Sequence, residues 1–474
     1  MTHTGIIFAA PKSGSGKTTI TCAMLQAMKN RKYHVRAFKS GPDYIDPMFH
    51  RDVIGVPSRN LDTFFSEGEQ IRSLFALEQE KYAYSVIEGA MGLYDGLGGI
   101  QEKGSAYHLA QTLNLPIVLI LDAHGMGRTM VPVLTGLMQY DRDQRIIGVI
   151  LNRTTDSFCH TMAPIIEKEL GLPVFGCFPS QKELHLESRH LGLMMPDELC
   201  FQVKNAAKVL EEHVDIDGIL GCAKNYIENT VEQRSVEQNT EKRYTLETSG
   251  KTVKDLSKSV QIAVAYDRAF CFYYEDNLRL LRNMGAKTVF FSPLNDKMLP
   301  EGTNAILLGG GYPELYAGQL SENRAMRESI LRAVRAGMPS MAECGGFMYL
   351  HETMTDTEGN TFPMVGAVKG GCRNSGKLTR FGYVELHEKE PHFLEGNTIR
   401  GHEFHYYDSE NNGADCVAVK PVSGKSYDCI HSGENYWWGY PHLYYPSNPE
   451  FAGHFVEEAK AYHNKKKNGV CNER

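Results

Sequence analysis

Short apolar runs recur along the first half of the chain and alternate with longer stretches of mixed polarity. The runs cover residues 5–10, 34–39, 84–88, 115–122, 146–152 and 172–176. Runs of this length are typical of strands buried on both faces of a parallel sheet, and the stretches between them are long enough for crossover helices. We therefore predict an α/β fold, with a doubly wound parallel sheet in a domain that spans residues 1–225.

The apolar pattern stops after residue 225 and resumes at residue 260. Residues 226–259 are rich in Glu, Gln, Lys, Thr and Ser and contain few apolar anchors, which is typical of a linker. The apolar run 260–266 then predicts the first strand of a second α/β domain, which spans residues 260–474. A chain of 474 residues is long enough for two domains of this size.

The first apolar run leads into a glycine-rich segment, PKSGSGKTT at residues 11–19, and then into a helix-forming stretch. In this strand–loop–helix order, glycines let backbone N–H groups surround a phosphate, and the helix N-terminus adds partial positive charge. We expect Lys17 to reach the β- and γ-phosphates of a nucleotide and the Thr18 hydroxyl to bind Mg²⁺. Pro11 replaces the usual first glycine of this P-loop, and Lys12 resembles the extra lysine of variant loops. The predicted nucleotide-binding residues are Lys12, Gly14, Gly16, Lys17, Thr18, Thr19 and, in a later strand, Asn152, which we expect to contact adenine.

A second cluster of polar residues follows the predicted strand 34–39, where residues 39–47 read KSGPDYIDP. Ligands of parallel α/β sheets bind at the C-terminal ends of the strands. We therefore predict that Lys39, Asp43 and Asp46 bind substrate or a reaction intermediate. The structural alternative is an ordinary turn, since Asp and Pro both favour turns.

A third cluster closes the strand 84–88, where residues 84–96 read YSVIEGAMGLYDG. An acid at this strand end can hold Mg²⁺ opposite the P-loop hydroxyl. The predicted metal ligands are Thr18, Asp46 and Glu88, and Asp95 is predicted to position substrate. A solvated loop acid is the alternative for this segment.

Composition excludes several classes of function. The 57 acidic and 50 basic residues give a net charge of −7, which argues against a nucleic-acid partner. No apolar run approaches the roughly 20 residues of a membrane span, and no signal peptide precedes the first strand. The 11 cysteines are scattered, with neither a C-x-x-C pair nor zinc-like spacing. We therefore expect a cytoplasmic protein with no nucleic-acid or membrane partner.

The second domain has a reactive-cysteine pattern of its own. Residues 340–348 read SMAECGGFM, which is typical of a tight strand-to-helix turn that exposes a nucleophile, here Cys344. We expect the helix N-terminus to lower the pKa of this thiol. Upstream, an apolar run ends in consecutive glycines, whose N–H groups are predicted to form an oxyanion hole: Gly309, Gly310 and Gly311.

A cysteine nucleophile requires a histidine, and two segments offer one. Residues 401–406 contain His402 and His405, and residues 439–444 contain His442. Spacing along the chain does not choose between them, because the pairing is spatial.

Seven sequence blocks, in order across both halves of the chain, resemble those of the cobyrinate a,c-diamide synthase family. The first half is similar to the dethiobiotin synthetase family of ATP-dependent ligases, and the second half to class I glutamine amidotransferases of the cobyrinate/cobyrate type. The blocks are residues 39–47 (KSGPDYIDP), 88–96 (EGAMGLYDG), 188–193 (SRHLGL), 309–314 (GGGYPE), 343–346 (ECGG), 379–385 (TRFGYVE) and 400–406 (RGHEFHY).

The resemblance implies a two-site ligase. Cys344 is expected to form a thioester with L-glutamine, with His442 as its base, and the released ammonia is expected to reach the first domain. There ATP and Mg²⁺ are implied in phosphorylating the a- and c-acetate carboxylates of cobyrinate or a related tetrapyrrole. Many class I amidotransferases carry a Glu two residues after the histidine, whereas this chain has Tyr444 at that position. The resemblance implies this difference, because the cobyrinate/cobyrate subfamily lacks that acid. What orients His442 therefore stays open.

Three alternative functions are kept. A nickel-sirohydrochlorin a,c-diamide synthase shares the chemistry but not the macrocycle, and a cobyrate synthase is disfavoured by the block at residues 39–47. A partitioning-type ATPase switch uses the same variant loop but leaves Cys344 and His442 without a role. The sequence determines neither the macrocycle and its metal, nor the order of amidation, nor the oligomeric state, although a homodimer is compatible with it.

Overall fold

The computed structural model describes residues 3–77, 79–180, 196–235 and 259–467, and the chain divides into two compact units, Met1–Glu247 and Thr248–Arg474. At the centre of the first unit lies one sheet of seven strands, all parallel to their neighbours. Its strands are β1 (Thr4–Ala9), β2 (Val35–Ser40), β3 (Ser58–Leu61), β4 (Tyr84–Glu88), β5 (Ile117–Asp122), β6 (Ile146–Asn152) and β7 (Val174–Phe178).

The strand order of this sheet is β3-β2-β4-β1-β5-β6-β7. The chain thus builds one side of the sheet from β2 to β4 and the other from β5 to β7, with β1 between them. The order reverses beside β1, and such a switch point leaves a crevice at the C-terminal strand ends. The register places Phe8 beside Glu88 and Glu88 beside Lys39, so the predicted polar residues share this edge.

Helices cover both faces of the first sheet. Successive strand residues point to opposite faces, so Ile7 packs in one apolar core and Phe8 in the other. The helices are α1 (Lys17–Asn30), α2 (Ile45–Phe49), α3 (Gly68–Ala76), α4 (Ala106–Leu113), α5 (Met130–Tyr140), α6 (Asp156–Leu170), α7 (Pro196–His213) and α8 (Ile216–Ser235).

The last helix of the first unit extends beyond the predicted domain end. Helix α8 continues to Ser235, ten residues into the segment 226–259 that we interpreted as a linker. Its buried Ile219 and Ala223 and its partly buried Ile227 pack against the cores of the unit, which stabilises helix in a polar stretch. Residues 236–258 of the predicted linker lie outside the described residues.

The second unit is built on a six-stranded sheet of order β20-β21-β11-β10-β8-β9. All neighbouring pairs are parallel except β20 and β21. Its strands are β8 (Val260–Ala265), β9 (Ala286–Phe291), β10 (Thr303–Leu308), β11 (Ser340–Glu343), β20 (His431–Gly433) and β21 (Tyr436–Gly439). Its helices are α9 (Glu275–Asn283), α10 (Ala317–Glu322), α11 (Arg324–Arg335), α12 (Gly345–Leu350) and α13 (Pro449–Lys467).

Two smaller sheets of the second unit were not predicted from the apolar pattern. One has the order β13-β12-β14-β17, and the other has the order β19-β18-β15-β16-β22. Their strands are β12 (His351–Thr355), β13 (Thr361–Pro363), β14 (Val368–Asn374), β15 (Arg380–Glu388), β16 (Thr398–His405), β17 (Tyr407–Ser409), β18 (Cys416–Val419), β19 (Ser426–Cys429) and β22 (His442–Leu443). The second of these sheets contains both of the candidate histidine segments. Within the described ranges of both units, no helix combines the length and apolarity needed to cross a membrane.

Candidate active sites

The glycine-rich loop connects β1 to α1 at the switch point of the first sheet. Gly14 and Gly16 adopt φ of 75° and 92°, which side chains other than glycine disfavour, and α1 begins at Lys17. A Cβ on Gly16 would lie 2.1 Å from Asn152 Nδ2. The glycine is therefore required both by its conformation and by the close approach of β6.

The loop is held from its far side by the end of β6. Asn152 Nδ2 donates to the carbonyl of Ser15 at 2.7 Å, and Arg153 Nη2 donates to the carbonyl of Gly14 at 2.8 Å. Asn152 is buried, and its amide supports the loop backbone. The contact of Asn152 with adenine stays a prediction, and its support of the loop backbone is an additional role.

The P-loop lysine lies at the mouth of the loop. Lys17 Nζ donates to the carbonyls of Lys12 at 3.2 Å and Met91 at 2.5 Å. Burial, together with the nearby Lys39 ammonium, lowers the pKa of Lys17 to about 8. The side chain of Lys12 is exposed beside it. A cation desolvated in this way is stabilised by a bound anion, as expected of a phosphate-binding residue.

A buried charged cluster lies beneath the loop. Glu88 Oε1 accepts hydrogen bonds from Thr18 Oγ1 at 2.6 Å and from Lys39 Nζ at 2.8 Å. Lys39 Nζ also lies 2.5 Å from Asp46 Oδ2. The structure therefore brings together four residues that were predicted from three separate sequence segments, because each follows or ends a strand at the same sheet edge.

Sequence reasoning missed His50, which completes this cluster. His50 is fully buried in the π-helical turn His50–Ile54, with Nε2 3.6 Å from Glu88 Oε2 and Nδ1 3.1 Å from Ser58 Oγ. The only signal for it was its position four residues after Asp46, which is one helical turn. No motif at this position suggested a functional histidine.

The two carboxyl groups of the cluster share a single ammonium, and their pKa values shift in opposite directions. Burial alone would raise the pKa of Glu88, but the Lys39 ammonium and His50 lower it well below its usual range. Burial raises the pKa of Asp46, and the negative charge of Glu88 raises it further. Conversely, these two acids overcome the effect of burial and raise the pKa of Lys39. Two carboxylates this close oppose each other's ionisation, and the shared ammonium of Lys39 offsets part of that repulsion.

These residues fit a magnesium ion. Asp46 Oδ1 and Glu88 Oε2 are buried and have no hydrogen-bond partner within the described residues, so two hard oxygen ligands are available beside the Thr18 hydroxyl. The same described residues contain no group of three or more His, Cys, Asp or Glu arranged to hold a metal. Mg²⁺ is commonly bound by one or two carboxylates together with substrate phosphates, so a closed protein cage is not required.

The two remaining acids lie at the edge of this site. Asp43 Oδ1 accepts from the N–H of Ile45 at 3.0 Å, which is an ordinary Asx turn at the start of α2. Asp95 Oδ2 accepts from the N–H of Gly92 at 3.1 Å, and its charge acts on Lys17. Both acids are partly exposed. Their predicted contacts with substrate stay predictions.

In the second unit, Cys344 occupies the predicted strand-to-helix turn. It follows β11 directly, precedes α12, and adopts φ 46° and ψ −105°, a strained conformation for a residue with a side chain. Its N–H donates to the carbonyl of Gly439 at the end of β21, at 2.9 Å. Strain at a strand-to-helix turn that carries a nucleophile is typical of acyl-transfer enzymes, although Cys344 is buried here rather than exposed as predicted.

The expected lowering of the thiol pKa is wrong for this structure. Burial raises the pKa of Cys344, and the carboxyl groups of Glu314 and Glu343 raise it further. Helix α12 has only six residues, so its N-terminus does not offset the desolvation. Thiolate formation at this cysteine therefore requires a nearby base.

The glycines after β10 differ in what they contact. The N–H of Gly309 donates to Tyr273 Oη at 2.8 Å, so this N–H is already used and the prediction that it stabilises an oxyanion is corrected. A Cβ on Gly310 would lie 2.3 Å from His442 Cε1, and a Cβ on Gly345 would lie 3.1 Å from the nitrogen of Gly311. Gly310 and Gly311 therefore remain as predicted oxyanion donors, close to the histidine and to the turn.

The structure separates the histidine candidates. His442 in β22 lies against Gly310, and its ring stacks on that of His402 in β16 at 5.2 Å. Burial lowers the pKa of His442, and His402 and His405 lower it further, so the imidazole is neutral and able to accept a proton. His405 instead donates from Nδ1 to the carbonyl of Tyr407 at 2.6 Å and stacks on Tyr440. These contacts support His442 as the base.

An acid lies near His442, although not at the position common in class I amidotransferases. The hydroxyl of Tyr444 donates to Asp276 Oδ2 at 3.4 Å. Glu343 Oε2 lies 3.9 Å from His442 Nδ1.

Of the sequence blocks, residues 188–193 lie outside the described residues.

Comparison with known proteins covers both units. Residues 6–193 match the family model of the CobQ/CobB/MinD/ParA nucleotide binding domain, and residues 261–449 match that of the CobB/CobQ-like glutamine amidotransferase domain. Three curated relatives carry the name cobyrinate a,c-diamide synthase. The relative from Caldanaerobacter subterraneus is 37% identical, and the match covers 96% of this chain and 98% of the relative. The relative from Picrophilus torridus is 36% identical, and the match covers 95% of this chain and 98% of the relative. That of Clostridium acetobutylicum is 38% identical over 95% of this chain and 99% of its own.

Proposed function

Because this chain belongs to the cobyrinate a,c-diamide synthase family, we propose that it converts the a- and c-acetate carboxylates of cobyrinate to amides. ATP activates each carboxylate, and glutamine supplies the nitrogen. The observation that supports this function best is the presence of two complementary sites in one chain. One surrounds the P-loop and the Lys39–Glu88 pair, and the other contains Cys344, Gly310 and His442.

The first site handles the phosphoryl transfer. A carboxylate oxygen is a poor leaving group, so the acetate oxygen first attacks the γ-phosphorus of ATP, and ADP leaves. Ammonia then attacks the resulting acyl phosphate, the C–O bond breaks, and phosphate departs with the amide formed. The P-loop N–H groups and Lys17 bind the phosphates, and Lys39 lies where it balances the charge that develops during transfer.

Thr18, Asp46 and Glu88 are the residues that would hold Mg²⁺, which neutralises phosphate charge when bound. The Thr18 hydroxyl is fixed by Glu88, and Glu88 is kept ionised by Lys39 and His50. The chain thus keeps one carboxylate charged in a site from which water is excluded. This geometry supports the magnesium ligands, and the family supports the macrocycle carboxylate as the substrate.

The second site handles glutamine. His442 takes the proton of the Cys344 thiol, and the sulfur attacks the side-chain carbonyl of glutamine, whose oxyanion faces Gly310 and Gly311. The C–N bond breaks while His442 returns the proton to the leaving ammonia. Water then hydrolyses the thioester to glutamate and restores the thiol. These steps start from a neutral histidine and a protonated thiol, and the lowered pKa of His442 and the raised pKa of Cys344 support this resting state.

The experiment that tests this function separates the two sites. Cys344→Ser keeps nearly the same volume but leaves a hydroxyl that is almost fully protonated at neutral pH, so glutamine-dependent synthesis is expected to be lost. With ammonium salt at mildly alkaline pH, the same variant is expected to form the diamide and consume ATP. His442→Asn is expected to behave likewise, and His405→Asn to retain glutaminase activity. Glutamine-dependent synthesis by folded Cys344→Ser would contradict the assignment of the nucleophile.

The macrocycle is tested directly by incubating the purified protein with cobyrinate and, separately, with nickel-sirohydrochlorin. We expect diamide from cobyrinate, because the relatives compared above carry that substrate in their names. The partitioning-type ATPase alternative has no use for Cys344 or the CobB/CobQ-like amidotransferase domain at residues 261–449. Detectable cleavage of glutamine by the parent enzyme would exclude it.

A further inference from the structure

The residue immediately before the nucleophile is an acid that the proposed reaction does not yet use. Glu343 ends β11, and its side chain is 6% exposed. Burying a carboxyl group without a cation is unfavourable, so its contacts within the fold require an explanation. Buried acids are usually neutralised by Arg or Lys, but the contacts of Glu343 within the described part of the second unit are with Leu443, Tyr445 and His442.

All of these contacts lead to one short segment, residues 442–445. Tyr445 Oη donates to Glu343 Oε1 at 3.0 Å. The N–H of Leu443 donates to Oε2 at 3.4 Å, and His442 Nδ1 lies 3.9 Å from the same oxygen. The carboxyl group thus connects residues 442–445, which include His442, to the end of β11, which directly precedes Cys344. Cys344 lies 98 residues before His442.

The other sides of the His442 ring are already occupied. Its Cε1 faces Gly310, and its plane stacks on His402 at 5.2 Å. His402, His405 and Glu403 are the charged or titratable groups that act on the ring from β16. On the Glu343 side, the nearby titratable groups are Tyr445 and Tyr273. The carboxyl group of Glu343 lies at the Nδ1 edge, 3.9 Å from that nitrogen.

We propose that Glu343 is the positioning residue of the glutaminase centre, whose carboxyl group orients His442 through Nδ1 and stabilises the imidazolium formed when His442 takes the thiol proton. This inference rests on the proposed function, since it assigns a residue to the same site. At 3.9 Å, Glu343 Oε2 is beyond hydrogen-bond distance of Nδ1, so the proposed role requires the carboxyl group to close on that nitrogen. An acceptor there favours the tautomer with its proton on Nδ1 and leaves Nε2 to accept the proton of Cys344. Glu343, the residue before the nucleophile, thus supplies the acid that position 444 lacks.

Burial shifts the pKa of both Glu343 and His442 towards the neutral form. Burial raises the pKa of Glu343 to about 8, although Tyr445 and the N–H of Leu443 partly oppose the shift. Burial also lowers the pKa of His442. The pair is therefore close to neutral at rest, and a carboxylate becomes favourable when the imidazolium forms beside it. A structural role, in which Glu343 only binds Tyr445 and Leu443, predicts no such coupling to the histidine.

The test compares Glu343→Gln with Tyr445→Phe in the full-length enzyme. Gln keeps the shape and the hydrogen bond from Tyr445 but removes the carboxylate, so kcat for glutamine hydrolysis is expected to fall on the order of 100-fold. The KM for glutamine and ammonia-dependent synthesis are expected to change by less than about threefold. Tyr445→Phe removes the support of Oε1 and keeps the carboxylate, so a much smaller loss is expected. Equal losses in both variants, or a loss below about threefold in Glu343→Gln, would overturn the proposal.

A second measurement does not depend on glutamine. The rate of Cys344 alkylation by iodoacetamide, followed on the peptide that carries Cys344, reports thiolate formation as a function of pH. Glu343→Gln is expected to slow alkylation near neutral pH and to shift its pH profile, and to add nothing in a His442→Asn background. An equal slowing in both backgrounds would show that Glu343 does not act through His442. If the parent cleaves no glutamine at all, the proposed function fails, whereas this alkylation comparison still decides the role of Glu343.

Glu343→Ala provides a further control if the Gln variant does not fold. The cavity left by the side chain has the size of a small carboxylic acid. Added formate is expected to restore part of the glutaminase activity, whereas formamide, which has the same shape without the charge, is expected to restore none. Equal rescue by both compounds, or by neither in a folded variant, would contradict a role for the carboxylate.

Discussion

Each unit of this protein buries one glutamate at the end of a parallel strand beside its reactive site, and the two have opposite charge states. Glu88 ends β4 and is held ionised because Lys39 and His50 lie against it. Glu343 ends β11, is surrounded by Tyr445, the N–H of Leu443 and a neutral histidine, and holds its proton to about pH 8, its pKa in the fold.

The comparison shows that burial does not determine the charge of an acid on its own. Desolvation is the largest influence on the pKa of both glutamates, and it acts in the same direction on each. The ammonium of Lys39 reverses it for Glu88, whereas no cation among the described residues of the second unit does so for Glu343. A permanent charge suits a site for phosphate and a divalent cation, and a proton-bearing acid suits a site in which protons move.

The largest effect that would test this contrast is expected from Glu88→Gln. The substitution removes the ionised carboxylate while keeping its shape, so ammonia-dependent amide formation is expected to fall at least about 100-fold. Glutamine cleavage in the other unit is expected to stay within about twofold. The exposed Glu80→Gln serves as the matched control. Parental rates of diamide production by Glu88→Gln at limiting Mg²⁺ would remove Glu88 from the metal site.

The corresponding test in the second unit is Gly310→Ala. Its Cβ would lie 2.3 Å from His442 Cε1, so the histidine must move and glutaminase activity is expected to fall about 100-fold. Ammonia-dependent synthesis is expected to be retained. Gly318→Ala is the control, because its Cβ would meet Phe362 at an ordinary 3.6 Å. A parental glutaminase rate in Gly310→Ala would show that the position of His442 is not critical.

A smaller effect distinguishes the two aspartates of residues 39–47. Asp46→Asn weakens a buried charged contact with Lys39, and a loss of about 1.5–3 kcal/mol, or roughly 10- to 100-fold in ammonia-dependent synthesis, is expected. Asp43→Asn keeps an oxygen that accepts from Ile45, so less than about a threefold loss is expected. The opposite ranking in steady-state assays would place the substrate contact at the outer edge of the site.

The smallest effect concerns stability and the charge of Glu343. Its folded pKa of about 8 exceeds the unfolded value of 4.5, so its contribution is fully present below pH 4.5 and is lost as pH rises towards 8. As the pH rises from 5.5 to 7, the unfolding free energy of Glu343→Gln is therefore expected to increase by about 2 kcal/mol relative to that of the parent. The two tryptophans of the chain, Trp437 and Trp438, both lie in the second unit and report its denaturation by fluorescence. A pH-independent difference would mean that Glu343 is already ionised.

Much of both sites was predictable because its residues follow local patterns. Strand β6 coincides with the predicted run 146–152, and the loop, the elbow and the strand-end acids lie where the motifs place them. His50 and Glu343 were missed as functional residues because their partners are distant in sequence or carry no motif. The contact between Gly309 and Tyr273 was likewise invisible, since it joins a glycine to a loop 36 residues earlier.

The support of the P-loop by β6 has a consequence for nucleotide binding. Two side chains hold the carbonyl groups of Ser15 and Gly14, which fixes the direction of the N–H groups on the opposite side of the loop. Ordering a flexible residue costs roughly 1–2 kcal/mol of conformational entropy, and a loop that is already ordered avoids this loss on binding. The anion receptor is thus preorganised by two residues that lie 137 and 139 positions further along the chain, so its affinity depends on the C-terminal end of β6 as well as on the loop itself.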